Sequence, residues 1–407
     1  MEKRKFQVYG YRWIVLVVYS LLQFLAIMQV YTFAPITGEA AAFYGVTPMK
    51  IGFLSIISLI ITIFLQLPGS YAVDTWGIRR AIGLAAILAG VFGFTRGHFG
   101  SNYTWVLIST WGFSLSNPLV FNSMTAVAAR WFPLEERATA VGIMLIALYG
   151  GLIVGMGLTP LLTIRYGIHG MLRIYGVMAL VIGSAFCVLV RDAPLTPPAE
   201  SEIERVPVLA GMKHMFTRRD PLLIVIVAFV GLGAWNALMT WIEQMIAPRG
   251  FNSVQAGTVG AAMMVAGIVG CFVISPLSDK LRARKLFFII NIIAFLVALP
   301  GFAFATSYWL LLATALFFGF FNMGSSPVAY QYAAELCNPA PEATVQGLQI
   351  WAGQISGILF IYAMDRFRTQ TGAMTPTLVV MMVLTFLVTL PTFWMKESPM
   401  VVKGTEE

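Results

Sequence analysis

Apolar runs of roughly 20 residues follow one another from Trp13 to Met395, and the charged residues are gathered into the short stretches between them. A run of that length is what an α-helix needs to cross the hydrocarbon core of a bilayer. Bounded by charged or turn residues, the runs read as helices. Charged residues are 11% of the chain and hydrophobic ones 58%, against about 25% and 45–50% in soluble domains. Soluble, disordered and disulfide-stapled secreted classes are excluded on that ground. What remains is an all-α membrane protein with many spans.

Twelve transmembrane helices are predicted, near 13–35, 51–73, 80–97, 103–129, 138–162, 171–190, 221–247, 255–275, 286–305, 308–333, 344–364 and 374–395. The longest polar stretch, 191–220, separates the sixth from the seventh. It carries Pro194, Pro197, Pro198 and a charged run from Glu200 to Arg205, the composition of a linker. The expected domains are therefore two six-helix bundles, 13–190 and 221–395, joined by 191–220. With both termini on the side of the linker, 19 of the 26 Lys and Arg residues fall on that side. The positive-inside bias then puts both termini in the cytoplasm of a cell with this protein in its plasma or inner membrane. The net charge of +8 is read as topology and not as nucleic-acid binding. Met1–Lys5 followed by an apolar run also fits a signal peptide, but the run is longer than the usual 7–15 residues of such a segment. Cys187, Cys271 and Cys337 lie on different helices and suggest neither a disulfide nor a metal site.

Sliding the second half back by 205 residues superposes separate features without a gap. Ser70, Asp74, Arg79 and Arg80 fall on Ser275, Asp279, Arg284 and Lys285; Asn117 falls on Asn322; Ala138, Thr139 and Gly142 fall on Ala343, Thr344 and Gly347. One register across three helix regions implies two equivalent bundles, with a substrate site near the midplane and alternating access. Each duplicated loop carries an acid and a basic pair. Asp74 with Arg79 and Arg80, and Asp279 with Arg284 and Lys285, are expected to form gating contacts by pairing or by meeting a helix end.

Ser70-Tyr-Ala-Val-Asp74-Thr-Trp-Gly77-Ile-Arg79-Arg80 resembles the loop motif of the major facilitator superfamily, G-x-x-x-D-[RK]-x-G-x-[RK]-[RK]. Arg130-Trp-Phe-Pro133-Leu-Glu135-Glu136-Arg137 resembles its R-W-F-P-x-x-E-R loop. Ser70 and Thr75 stand where the family has glycine and a base, and Arg282 where the second half has glycine. Within the superfamily, Phe43-Tyr-Gly-Val-Thr47, the run from Asn236 to Ile246, Ala333-Ala-Glu335-Leu336 and Gly353-Gln354-Ile-Ser-Gly357 are similar to the feline leukaemia virus subgroup C receptor-related transporters, carriers of haem and of choline or ethanolamine. That resemblance implies a cage of aromatic rings and amides suited to a quaternary ammonium. The family's first-span tryptophan falls on Val30, between Gln29 and Tyr31. Its seventh-span tyrosine falls on Asn236, beside Trp235; its fifth-span glutamine falls on Tyr149; its eleventh-span glutamine is kept as Gln354.

The residues read alone point to the same positions. Gln29, Asn117, Asn236, Asn322 and Gln354 lie deep in predicted spans, where an amide needs either another helix or a ligand. The substrate-binding set is thus Gln29, Tyr31, Asn117, Tyr149, Trp235, Asn236, Asn322 and Gln354. Among the acids Glu243 lies within a predicted span and is the candidate for proton coupling; the alternative is an outer-end residue paired with Lys or Arg. Ile108 stands where superfamily antiporters carry an arginine, and Met156 where they carry a proline. The expected function is secondary-active or facilitative transport of a small organic solute, cationic or amine in character, by a monomer in the bilayer without cofactor, metal or catalytic residue. A transport-inactive receptor would carry a large soluble domain, and a haem carrier an exposed axial ligand such as His98. A membrane enzyme would gather His, Asp or Cys at membrane depth.

Overall fold

A computed structural model describes residues 9–121, 123–133, 136–192, 216–337 and 342–398. The described residues form helices and no strand. They divide into two compact units, one of residues 9–33 and 39–192, the other of residues 34–38 and 216–398. Most of the expected linker lies outside the described residues.

In the first unit α1 (Arg12–Tyr31), α3 (Pro48–Trp76) and α4 (Ile78–His98) are long apolar helices. The short α2 (Thr37–Tyr44) lies between α1 and α3. The fourth apolar run does not form one helix. It is divided into α5 (Tyr103–Ser114), α6 (Asn117–Phe121) and α7 (Met124–Trp131). Pro118 brings no backbone N–H to the break, and Ser116 N–H turns back to Phe113 O at 2.9 Å. Tyr19 of α1 reaches in, its hydroxyl donating to Val120 O and lying 2.9 Å from Ser123 Oγ. A buried break is tolerated in a membrane only when neighbouring side chains take up the freed backbone groups in this way. The last helix, α8 (Arg137–Leu189), covers the fifth and sixth runs and turns at Gly167, where φ is +70°.

α8 packs against both α1 and α4. Contact with α1 is close at Gly151, where a Cβ would stand 2.1 Å from Phe24 O. Small residues at helix contacts replace the hydrophobic drive that lipid removes. The core of this unit joins Leu16, Tyr19 and Leu22 of α1 to Ala85, Ala86 and Ala89 of α4 and to Trp131, Met144 and Phe186.

The second unit holds α9 (Arg219–Thr240), the short α10 (Ile242–Ile246), α11 (Ser253–Leu281) and α12 (Arg284–Phe304). α13 (Tyr308–Phe318) continues through a π-helical turn, Gly319–Met323, into α14 (Gly324–Leu336). α15 (Glu342–Arg366) and α16 (Thr375–Thr392) complete it. Its core gathers Ile224, Phe288, Ile292, Tyr332, Leu348 and Ala352. Among the described residues, ten helical stretches are long and apolar enough to cross a membrane. One of them, Thr139–Leu189, is 51 residues long and contains the turn at Gly167.

The irregularities repeat as well. Asn117 opens α6 at the break in the fourth run, and Asn322, 205 residues on, sits in the π turn of the tenth. π turns inside α-helices occur often at functional sites.

Candidate functional site

The duplicated loops are built from helix ends. Gly77 separates α3 from α4 with φ +84°, and a Cβ there would lie 2.5 Å from Asp192 Oδ1. Glycine is required by both the backbone angle and the space. Asp192, just past the end of α8, accepts the backbone N–H of Arg79 at 3.1 Å, and Arg130 Nη1 lies 3.5 Å from the same oxygen. The side chain of Asp74 lies outside the described residues. The second loop shows the pairing expected there, with Arg284 Nη1 2.7 Å from Asp279 Oδ1. Arg284 Nε also approaches Glu335 Oε1 at 3.8 Å, and Ser398 Oγ donates to Glu335 Oε2. Lys285 N–H donates to Glu397 Oε1 at 2.9 Å, and its Nζ donates to Phe393 O at 2.8 Å. The second motif is held similarly. Arg137 donates to the carbonyls of Phe132 and Ala129 at 3.2 and 3.1 Å, and Glu136 pairs with Arg12 at 2.9 Å.

Among the expected binding residues of the first unit, Gln29 is 3% exposed, and neither of its amide atoms has a hydrogen-bond partner among the described residues. Its amide rests on Gly93 of α4, where a Cβ would come within 2.8 Å of Nε2. One turn further along α4 Arg96 is also 3% exposed; its Nη1 donates to Gln29 O at 2.9 Å, and its guanidinium lies 4.8 Å from the Phe33 ring and 5.1 Å from that of Phe113. No acid pairs with it among the described residues. Tyr31 and Asn117 are buried, and Asn117 Oδ1 has no partner there either. Tyr149 is half-buried on α8.

In the second unit α9 packs on α15, and Asn236 meets the backbone of α15 beside Gln354. Asn236 Nδ2 donates to Gly353 O at 3.4 Å, and a Cβ on Gly353 would meet Leu232 Cβ at 2.4 Å. Gln354 Oε1 is buried without a partner among the described residues. Trp235 stacks on Phe318 at 5.8 Å. Asn322 is engaged by α12: its Nδ2 donates to Asn291 O at 3.1 Å and lies 3.3 Å from Asn291 Oδ1, while Asn291 Nδ2 donates to Asn322 O. It therefore makes the interhelical amide pair that such residues commonly make in membranes.

α9 stops at Thr240, so Glu243 lies beyond it, on α10. Glu243 is buried and accepts Gly38 N–H at 2.9 Å and Gln244 Nε2 at 2.6 Å through Oε2. Arg368 donates to Gln244 Oε1 at 2.9 Å, pairs with Asp365 at 3.0 Å and lies 5.0 Å from the Trp241 ring. Burial pushes the Arg368 guanidinium pKa down, and Asp365 and Glu243 oppose that shift.

Sequence reasoning did not single out Arg96, Asp192, Glu397 or Asn291. Arg96 falls in the last turn of α4, at the end of the third apolar run. Asp192 and Glu397 stand 205 residues apart, the offset of the repeat itself.

Residues 19–361 match the family model of the Major Facilitator Superfamily. The chain is 29% identical over 400 residues to solute carrier family 49 member A3 of Xenopus tropicalis, covering 92% of this chain and 82% of that protein. It is 24% identical over 391 residues to the choline/ethanolamine transporter FLVCR2 of Homo sapiens, covering 89% and 73%. Among solved structures, a D-xylose–proton symporter aligns with a TM-score of 0.75 at 16% identity, over 96% of this chain and 99% of that one. A bacterial homologue of the human lysosomal transporter Spinster, inward-facing and unoccupied, aligns with a TM-score of 0.71 at 15% identity, over 97% and 100%. The chain is an integral multi-pass membrane transporter, and it belongs to the major facilitator superfamily.

Proposed function

We propose that this transporter carries a small organic solute of cationic or amine character by alternating access through twelve spans, as a monomer with both termini cytoplasmic. The observation that carries the solute reading is the set of buried amides left without partners inside transporter helices. Gln29 and Asn117 in one unit and Gln354 in the other each keep at least one polar side-chain atom without a partner among the described residues. An amide unpaired in a membrane is expensive, so positions that keep one are positions where a solute or its water completes the hydrogen bond. The breaks at Asn117 and Asn322 support the same reading, since interrupted helices at corresponding places in two repeats mark substrate sites in such carriers. The named choline and ethanolamine carriers among its relatives favour an amine, and the rings of Tyr31, Tyr149 and Trp235 suit one. Asp74 with Arg79 and Arg80, and Asp279 with Arg284 and Lys285, serve in this reading as gates, their contacts made and broken as access alternates.

A second reading rests on Arg96. A buried guanidinium with no acid beside it among the described residues, next to the amide of Gln29, suits a solute that carries a carboxylate or phosphate. One experiment separates the two. The purified protein is reconstituted in liposomes and offered labelled choline, ethanolamine and a set of anionic metabolites, with and without a pH gradient. Uptake of an amine supports the first reading and uptake of an anion the second. If nothing is taken up and nothing offered stabilises the protein, the solute-carrier reading fails.

A further inference from the structure

Beside the first duplicated loop, α4 and α8 line a groove of about 330 Å³ on the first unit. Arg79 and Arg80 stand at its rim, and Leu84, Ile87 and Phe186 form its apolar wall. Gly83 forms the floor: a Cβ there would meet nothing within 4 Å, so the trough is the space that a side chain at this position would have filled. Both arginines are exposed, and neither guanidinium has a hydrogen bond or ion pair among the described residues; Arg79 engages Asp192 through its backbone N–H alone. Leu84 and Ile87 are 42% and 52% exposed on the outer face of a membrane-crossing helix.

We propose that this groove holds an anionic phospholipid, its phosphate between Arg79 and Arg80 and the start of an acyl chain over Gly83 against Leu84, Ile87 and Phe186. The charge at one end and the apolar trough at the other match the two parts of that molecule, and arginine is suited to a phosphate by its planar array of donors. The volume is at the lower end of ligand sites, roughly 300–1,000 Å³, enough for part of a lipid while the rest stays in the bilayer. A free phosphate would leave the trough uncovered, and a choline headgroup would bring a cation to two arginines. The bound lipid would then sit on the loop of the duplicated motif, whichever solute is moved.

The whole chain, purified in neutral detergent, is titrated with dioleoylphosphatidylglycerol, with dioleoylphosphatidylcholine and with inorganic phosphate. Bound lipid is counted by native mass spectrometry, which reads only intact folded protein. We expect phosphatidylglycerol to bind at least tenfold more tightly than phosphatidylcholine and to resist displacement by phosphate. Arg79→Gln with Arg80→Gln weakens it by roughly tenfold or more, at about one kilocalorie per basic group. Arg79→Lys with Arg80→Lys, which keeps the charges but not the planar donors, weakens it less than the glutamine variant, and Gly83→Leu, which fills the trough with both charges intact, also weakens it. Equal binding of the two lipids, displacement by phosphate alone, or unchanged binding in Gly83→Leu overturns the proposal. If the glutamine variant fails to fold, the leucine variant still decides it.

Discussion

Asp192 accepts the backbone N–H of Arg79 at 3.1 Å, holding the start of α4 to the end of α8. Glu397, its counterpart 205 residues on, does the same for Lys285 at 2.9 Å and so holds the start of α12 to the segment after α16. A carboxylate on the first N–H groups of a helix both satisfies an orphan donor and meets the positive end of the helix dipole. Asp192→Ala and Glu397→Ala should each cost about 1 kcal/mol, the usual worth of such a cap. In a unit of this size that lowers Tm by about 2–4 °C, read by thermal unfolding in detergent. The two contacts share no partner, so the double variant should lose the sum.

The reciprocal amide pair of Asn291 and Asn322 gives a second expectation. A double-mutant cycle with Asn291→Ala and Asn322→Ala should return a coupling of about 0.6 kcal/mol, the average for interhelical hydrogen bonds in membranes. Asn117→Ala, where the amide oxygen has no partner among the described residues, should leave stability nearly unchanged and raise KM for the transported solute. A raised KM in Asn322→Ala with no coupling to Asn291 would move Asn322 from packing to solute contact.

Glu243 is occupied by Gly38 N–H and Gln244 close to Arg368. Charge-assisted hydrogen bonds of this kind are worth roughly twice neutral ones. Glu243→Gln should therefore lower thermal stability and leave the pH profile of uptake as it is in the parent. A profile flattened across the neutral range would instead identify Glu243 as the proton-coupling group.

The Arg96 guanidinium lies over two rings, and a lysine keeps the charge but not the guanidinium's donors or its fit to both rings. Arg96→Lys should lose up to about 2 kcal/mol, the upper range for a desolvated cation–π contact. If the solute is anionic, its KM should also rise at least tenfold in Arg96→Lys, while the KM of an amine solute stays put. Kinetics of uptake for both solute types check this.

The apolar runs made the long helices readable, because helices in lipid must close their own hydrogen bonds and leave few alternatives. The fixed offset made the second loop readable down to the Asp279–Arg284 pair. The division of the fourth run was not readable: Tyr19, nearly a hundred residues away, is what makes a break near Asn117 affordable. Glu243 likewise reads as part of a span, whereas the helix stops at Thr240 and the next residue, Trp241, donates its Nε1–H to Ile361 O at 3.0 Å. Contacts between positions so far apart in the chain are not carried by local sequence. That amides lie buried in the helices was readable for Gln29 and Asn117; which amides pair with one another, as Asn322 does with Asn291, was not.

The five residues Ala34–Gly38 belong to the second unit although the chain on either side of them belongs to the first. Gly38 delivers its N–H to Glu243, 205 residues downstream. Two fragments made by cutting the chain in the linker would therefore not be self-sufficient. The downstream fragment would be born missing a piece of itself, with a buried carboxylate short of one donor, and could recover it only from the upstream fragment. During synthesis that piece leaves the ribosome early and must be kept available until the acceptor emerges, which makes maturation of this protein a delayed clasp rather than the end-to-end joining of two finished halves.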